Sequence, residues 1–351
     1  MALEDLGYNP ELESYRKENK LDAFEVGRVI SEHKERYIVR TPDKEYEGEI
    51  IGNLRYTASS RNDFPAVGDW VAISKYDEQN ALIHAVFPRK TIIERQAVGK
   101  FGEKQIIAAN IDYAFIVQAV DRDFNINRIE RYLTICNISG VEPIILLTKV
   151  DLIAEKELSV IISNVRKRIK QIQLIPISNL SHKGLDTVKK SITHGKTYCL
   201  LGSSGVGKST LLNNLSGKQI MKTNSISSTS NRGRHITSHR ELFVLDNGGI
   251  LIDNPGMREV GMTNNSDGLN ITFDAIVELS TNCKFKDCSH TTEIGCAVIK
   301  ALEDGNLNQS SYDNYLKIKR EQMFFESSLA ERRKKDKDFG KMLKNFKKSS
   351  K

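Results

Sequence analysis

Residues 202–209 read Gly202-Ser203-Ser204-Gly205-Val206-Gly207-Lys208-Ser209, a complete G-x-x-x-x-G-K-[ST], with Thr210 next in the chain. The flanks suit it: the apolar run TYCLL (197–201) leads in, and the helix-forming run STLLNNL (209–215) leads out. Glycines let such a loop turn so that successive backbone N–H groups point at phosphate oxygens, and the helix start adds positive potential. Lys208 is placed to reach the β- and γ-phosphates of a nucleoside triphosphate, and the Ser209 hydroxyl to ligate Mg²⁺. Strand, loop and helix together predict a phosphate-binding loop, with residues 202–210 as its nucleotide contacts.

Upstream, ILLTKVDL (145–152) ends a buried strand in Thr148-Lys149-Val150-Asp151, close to the Asn-Lys-x-Asp motif of guanine-specific proteins. Asp151 would accept hydrogen bonds from the ring N–H and exocyclic amine of guanine, and Lys149 would lie along the base. Thr148 departs from the motif, since a hydroxyl replaces the amide that normally tethers neighbouring loops. Taken alone, a surface Lys–Asp pair would look the same. Pro176-Ile177-Ser178-Asn179 ends another apolar strand, and Ser178 suits a loop that supports the base. Downstream, Ile250-Leu251-Ile252-Asp253-Asn254-Pro255-Gly256 is a strand ending in Asp-x-x-Gly. Asp253 would bind Mg²⁺ through water, and the Gly256 N–H would sense the γ-phosphate. Between these elements, the polar stretch 223–240 offers Thr237 as a switch residue completing Mg²⁺ coordination. In an ordinary GTPase the phosphate loop comes first and the guanine motif late; here the guanine motif precedes it. Three matches in one rotated order predict a circularly permuted GTPase.

The rest of the chain divides around that core. Residues 1–20 read as an N-terminal extension. Over 21–98, five β-rich segments (FEVGRVI, RYIVRT, EYEGEII, GDWVAIS and ALIHAVF) alternate apolar and polar residues, the period of half-buried strands. Five strands in so short a span predict a small barrel of the OB type, with an SH3-like barrel as the alternative. Its loop NLRYTASSRNDFPA (53–66) mixes Arg55 and Arg61 with Tyr56 and Phe64, cations and aromatics of the kind that bind single-stranded RNA, or else an ordinary surface loop. Over 99–262, near-continuous apolar strands alternate with helical stretches such as 127–139 and 155–170, predicting an α/β domain with a mostly parallel sheet covered on both faces. Residues 263–330 read as mainly helical. The fold class is thus multi-domain: an N-terminal OB-fold β-barrel, a central circularly permuted α/β P-loop GTPase, and a C-terminal, mainly helical zinc-binding domain.

The zinc reading comes from Cys283-x4-Cys288-x-His290-x5-Cys296. Four such ligands within fourteen residues fit a tetrahedral Cys₃His site with no open position, hence one structural Zn²⁺. The chain has 5 cysteines, an odd number, and Cys136 and Cys199 lie in apolar runs; a disulfide framework is not expected.

The 351 residues carry 39% hydrophobic and 28% charged side chains, enough apolar material for real cores. No apolar run approaches the roughly 18–20 residues that cross a bilayer. The first twenty residues hold five acids, the opposite of an export segment. A cytoplasmic protein without a membrane partner is expected, and a monomer. The formal charge of +7 is uneven: residues 331–351 carry ten Lys/Arg against three acids, so residues 1–330, with 42 of each sign, are neutral in sum. That basic tail is either an arm on RNA phosphates or a solvated end.

With barrel, permuted GTPase and Cys₃His site in this order, the chain resembles the ribosome small subunit-dependent GTPase A family (RsgA, also called YjeQ) over roughly residues 20–330. The motifs that carry the resemblance are GDWV (68–71), TKVD, GSSGVGKST, GRHIT (233–237), DNPG and the Cys/His spacing. The resemblance implies a bacterial GTPase that binds the small (30S) ribosomal subunit late in its maturation. It further implies that barrel and zinc domain contact ribosomal RNA, and that the subunit stimulates hydrolysis and thereby release. Thr148, Asn254 and Ile236 depart from the usual pattern without removing a phosphate or magnesium contact. Met257 stands where many GTPases place a Gln that orients water, which a thioether cannot do. His235 is the candidate to orient it instead, alongside Lys208 and Thr237; contact with RNA or solvent is the alternative for that histidine. A GTP-gated protein acting on a non-ribosomal RNA is the other functional reading. For a P-loop kinase, no acceptor site is visible.

Overall fold

The computed structural model describes residues 1–33, 36–96, 104–121, 124–219, 240–253 and 266–326. The readings for His235, Thr237, Gly256 and the basic tail lie outside the described residues.

The first helix, α1 (Pro10–Glu18), starts at Asn9, whose side chain accepts from the Leu12 N–H at 3.0 Å, with Pro10 at the first helical position. Five strands follow: β1 (Glu25–His33), β2 (Arg36–Arg40), β3 (Glu45–Ile50), β4 (Trp70–Lys75) and β5 (Asn80–Val86). They pair in the order β1-β2-β3-β5-β4, and β4 returns to β1, so the sheet closes into the expected five-stranded barrel. β3 and β5 run parallel; the other pairs are antiparallel. The alternation seen in the sequence becomes burial: along β3, Tyr46, Gly48 and Ile50 point inward and Glu45, Glu47 and Glu49 outward. The interior holds Val29, Tyr37, Val39, Tyr46, Val71 and Ile83. The loop over 53–66 contains a short helix, α2 (Gly52–Thr57), and a 3-10 turn, Arg61–Asp63.

A hairpin that the strand pattern did not announce, β6 (Ile92–Gln96) with β7 (Lys104–Ala109), links the barrel to the next unit. Beyond it come β8 (Tyr113–Ala119), α3 (Ile126–Ser139), β9 (Glu142–Thr148), α4 (Glu155–Arg168), β10 (Gln173–Pro176), α5 (Leu185–Ser191), β11 (Thr197–Leu201), α6 (Lys208–Ser216), β12 (Arg240–Val244) and β13 (Ile250–Asp253). The sheet order is β10-β9-β8-β11-β13-β12, with all but β12 parallel. Alternate residues of these strands face opposite cores. Ile116, Leu147, Leu201 and Ile252 meet α3 and α4, while Val117, Leu146, Leu200 and Leu251 meet α5 and α6. Coverage on both faces is why these strands read as unbroken apolar runs.

The C-terminal helices α7 (Ser266–Thr272), α8 (Asp274–Ser280), α9 (Ala297–Glu303) and α10 (Gln309–Glu326) share the apolar core on the α3 side of the sheet. Gly268 lies so close to α3 that a Cβ there would fall 2.5 Å from the Ile138 nitrogen. A buried polar lock completes the seam: the Glu130 carboxylate of α3 accepts from Arg168 at 2.6 Å and from the Asn314 side chain at 2.7 Å.

Barrel and GTPase sheet are joined at one point of high polarity. Arg28 of β1 is fully buried, and its guanidinium donates to the Leu6 carbonyl (2.6 Å), the Gly68 carbonyl (3.1 Å), the Asn110 carbonyl (3.2 Å) and the Thr197 hydroxyl (2.9 Å). The N-terminal extension, barrel and GTPase sheet therefore meet on one side chain. Burial pulls its pKa down to about 10, opposed by the charges of Asp112 and Asp69. Asp69 is buried too; burial raises its pKa, while the Arg89 guanidinium, bonded to both its oxygens at 2.7–3.0 Å, opposes the rise. Gly68 is a glycine by necessity: φ is +95°, and a Cβ would stand 2.1 Å from the Ala109 carbonyl. Leu6, Leu12, Trp70 and Phe87 pack beside this joint.

Arg28→Met keeps an unbranched apolar stem but removes the guanidinium donors from the Leu6 and Asn110 carbonyls, while the Gly68 carbonyl keeps the Asn110 amide, so it is expected to cost about 3 kcal/mol. The fluorescence of Trp70, the only tryptophan of the chain, reports the joint directly. Its unfolding transition in urea is expected at lower denaturant than in the parent chain, and an unchanged midpoint would contradict the role given to Arg28.

Candidate functional site

In a parallel sheet of this kind, ligands bind beyond the carboxyl ends of the strands, where the strand order reverses. Here the reversal falls between β8 and β11: β9 and β10 continue on one side, β13 on the other. The loop that follows β11 is 202–207, and with the start of α6 it forms the sequence-predicted phosphate loop. Thr148 ends β9, Ser178 lies just past β10, and Asp253 ends β13, so four motifs scattered over a hundred residues arrive at one edge.

The phosphate loop is built as its glycines require. A Cβ on Gly202 would lie 2.4 Å from the Val117 carbonyl, and Gly205 and Gly207 have φ of +77° and +97°. Val206 turns its side chain into the core below α6. Lys208 begins α6, and its ammonium donates back to the carbonyls of Gly202 (2.8 Å) and Ser203 (2.6 Å), which holds it over the loop. Ser203, Ser204, Ser209 and Thr210 are half-exposed around it.

The guanine motif sits beside this loop and is bonded to it. Thr148, fully buried, donates its hydroxyl to the Val206 carbonyl at 2.7 Å. The sequence raised the loss of an Asn amide here as a departure; the structure shows that the hydroxyl still reaches the phosphate loop. Lys149 takes left-handed backbone (φ 61°) and its ammonium meets Asp121 at 2.7 Å. Asp151 stands exposed in the 3-10 turn Val150–Leu152. Ser178 is buried, and its hydroxyl accepts from the Leu180 and Ser181 N–H groups at 3.2 and 3.0 Å, shaping the turn after β10. Asp253 is nearly buried at the end of β13. Asp121, Asn179 and Asn214 belong to the same edge and were not singled out from sequence. Position was the available signal for two of them, since Asp121 lies two residues past the end of β8 and Asn179 follows Ser178.

The C-terminal cluster is also assembled. The Cys283 and Cys296 sulfurs lie 3.8 Å apart, and His290 Nδ1 lies 3.6 and 3.5 Å from them. With Cys288, all four ligand atoms fall within 4.8 Å of one another. A tetrahedral zinc with sulfur at about 2.3 Å has edges of about 3.8 Å, so the donor set fits such an ion. His290 is held from behind, its carbonyl accepting from the Tyr312 hydroxyl at 2.6 Å. In the barrel loop, Tyr56 is 90% exposed, whereas Phe64 is partly buried against the barrel interior. Of the two aromatics expected to stack on bases, only Tyr56 presents its ring. No described helix is long and apolar enough to cross a membrane.

Replacing Thr148 by Val keeps the shape and removes the hydroxyl, leaving the Val206 carbonyl without that partner. A loss of about tenfold in GDP affinity is expected, read by calorimetric titration. Unaltered affinity would show that the tether does not serve nucleotide binding.

Comparison with known proteins agrees with this geometry. Residues 86–263 match the family model described as RsgA GTPase. The chain is 42% identical over 325 residues to "Small ribosomal subunit biogenesis GTPase RsgA 2" of Listeria monocytogenes serotype 4b (strain F2365), covering 92% of this chain and 90% of that one. It is 39% identical over 326 residues to "Small ribosomal subunit biogenesis GTPase RsgA" of Methanosarcina acetivorans, covering 93% and 86%. Among solved structures it is similar in fold to YjeQ from Thermotoga maritima, with a TM-score of 0.63 at 23% identity over 85% of this chain and 98% of that one. It is also similar to YloQ, described as a circularly permuted GTPase, with a TM-score of 0.61 at 25% identity over 87% and 97%. A GTP-hydrolysing P-loop domain with its motifs in rotated order, behind a closed barrel and ahead of a Cys₃His cluster, thus has matching relatives along most of its length: the chain belongs to the RsgA GTPase family.

Proposed function

We propose that this protein binds the small (30S) ribosomal subunit and assists its late maturation, hydrolysing GTP to GDP and phosphate with stimulation by the subunit. The observation that carries the reading is the meeting of phosphate loop and guanine motif, bonded through Thr148 and Val206, in a chain whose relatives are named for small-subunit biogenesis. The backbone of 202–210 and the Lys208 ammonium would hold the phosphates, and Asp151 the base, with Lys149 lying along its plane. Val150 and Ser178 shape the two base loops. Mg²⁺, held by Ser209, Thr237 and Asp253, would neutralise charge on the phosphate oxygens. Gly256 would sense the γ-phosphate, and His235 would orient the attacking water when the subunit is bound.

Cys283, Cys288, His290 and Cys296 would hold one structural Zn²⁺, since four protein donors leave no position for substrate. The barrel, through Tyr56 and its neighbours Arg55 and Arg61, the zinc-bearing helices and the basic tail would supply the contacts to ribosomal RNA. The folded modules have no net charge, so these contacts are local patches and not a general field. The protein acts as a cytoplasmic monomer.

GTP hydrolysis measured with small subunits, with large subunits and without RNA tests this reading. Small subunits alone are expected to accelerate turnover, Lys208→Ala to abolish it, and His235→Ala to lose the stimulated part. Equal acceleration by any RNA would favour a different target, and preserved stimulation in His235→Ala would remove that residue from the chemistry. A chelator strong enough to remove zinc is expected to speed amide exchange over 281–303 while GDP remains bound, because metal binding contributes directly to folding there. Exchange indifferent to the chelator would refute the structural ion.

A further inference from the structure

Resting on the reading of this edge as a guanine-nucleotide site, we propose that Asn179 is a positioning residue for the nucleotide: its side-chain amide supplies the second half of the clasp between base loop and phosphate loop that Thr148 makes only in part. An Asn amide carries two N–H donors, whereas a Thr hydroxyl carries one. Where the guanine motif begins with Thr148, that single proton is spent on the Val206 carbonyl. The neighbouring carbonyl, Gly207, is taken from the other base loop, by Asn179 Nδ2 at 3.0 Å.

The orientation of the Asn179 amide is set by its surroundings. Asn214 on α6 donates from its own Nδ2 to the Asn179 main-chain carbonyl at 3.0 Å and toward Asn179 Oδ1 at 3.4 Å. With Oδ1 facing a donor and Nδ2 facing a carbonyl, the amide has one consistent placement. The acceptor is a telling one. Gly207 caps α6, its carbonyl also accepts the first helical bond from Leu211 N–H at 2.9 Å, and Lys208 is the next residue. Asn179 therefore grips the backbone from which the phosphate-binding lysine projects. The close approach also bears on Gly207, since a Cβ there would stand 2.8 Å from Asn179 Nδ2.

Two bonds from two strand-end loops, Thr148 on Val206 and Asn179 on Gly207, thus fasten consecutive carbonyls of the phosphate loop. A base held by the loops after β9 and β10 is placed at a set distance from the phosphates held after β11, which lowers the ordering cost of binding a whole nucleotide. The same clasp makes the Thr in the guanine motif tolerable.

The test measures GDP dissociation constants by calorimetry for the full chain, Asn179→Ala, Asn179→Leu and Asn179→Ala combined with Thr148→Asn, with the melting temperature of each nucleotide-free chain as control. Ala and Leu are each expected to weaken GDP about tenfold with little change in melting. Thr148→Asn is expected to restore most of the loss in the Ala background, because the amide is then offered from the first loop. Affinities within twofold of the parent for Ala and Leu would overturn the proposal. So would a parent-like Leu variant beside a weakened Ala variant, which would mean that Asn179 only fills space. Failure of rescue in a chain that melts normally would overturn it as well. Should Thr148→Asn melt early, Thr148→Val combined with Asn179→Ala decides: a combined loss smaller than the product of the single losses supports one clasp, and a simple product refutes it. A parent chain that binds ADP as well as GDP would instead strike at the guanine reading itself, and is visible before any variant is compared.

Discussion

The Thr148 hydroxyl on the Val206 carbonyl, at 2.7 Å, is the contact on which the proposed nucleotide site depends, because it fastens the end of β9 to the loop after β11. Those two strands are not sheet neighbours; β8 runs between them. Loops two strands apart form one site only if something spans the gap. The span is made by side chains at strand ends, and strand order decides which ends face each other. The order in which the chain visits those strands does not enter. This is why a rotated chain can build a GTPase site: neighbours in the sheet are preserved, and only the position of the chain ends has moved. One consequence is that the segment after β13, the γ-phosphate side in the proposed site, runs on into the helices that carry the Cys₃His cluster.

At the opposite end of the same sheet, Arg28 does the corresponding work between modules. Its guanidinium joins Leu6, Gly68, Asn110 and Thr197, so the N-terminal extension, the barrel and the GTPase sheet cannot shift past one another without exposing or stranding buried polar groups. The antiparallel contact of β1 with β12 reinforces the joint. On the α3 side, the C-terminal helices share an apolar core with the GTPase unit, and Glu130 is locked between Arg168 and Asn314. α3 and α4 each follow a strand end at the nucleotide edge, where Asp121 and Lys149 pair, and both reach this lock. The nucleotide edge of the proposed site and the C-terminal helices are therefore connected through packed, hydrogen-bonded elements.

Much of this was legible in the sequence because it rests on local chemistry. The phosphate loop was visible from its glycines and lysine, the barrel strands from period-two alternation, and the parallel sheet from apolar runs that two-sided coverage demands. The Cys/His spacing likewise brings four donors within 4.8 Å of one another. What stayed hidden depends on partners distant in sequence. The β6–β7 hairpin is made of short, polar-broken segments, and its pairing is known only once both strands are in place. GDWV read as one barrel strand among five, yet Gly68 and Asp69 belong to the joint, answering to Ala109, Arg28 and Arg89. Residues 1–20 read as an extension, although Leu6 and Leu12 are buried. Phe64 read as a stacking ring in a basic loop and instead packs against the barrel interior. Thr148 looked like a loss because the sequence does not show which carbonyl its hydroxyl would meet.

In the proposed function, motifs arriving in rotated order act as one guanine site. Amide hydrogen exchange on the full chain, with and without GDP and Mg²⁺, tests it most directly. GDP is expected to protect 148–151, 178–181 and 202–210 together, although they lie on three separate strand ends. Protection confined to 202–210, with the other two loops exchanging as before, would contradict it.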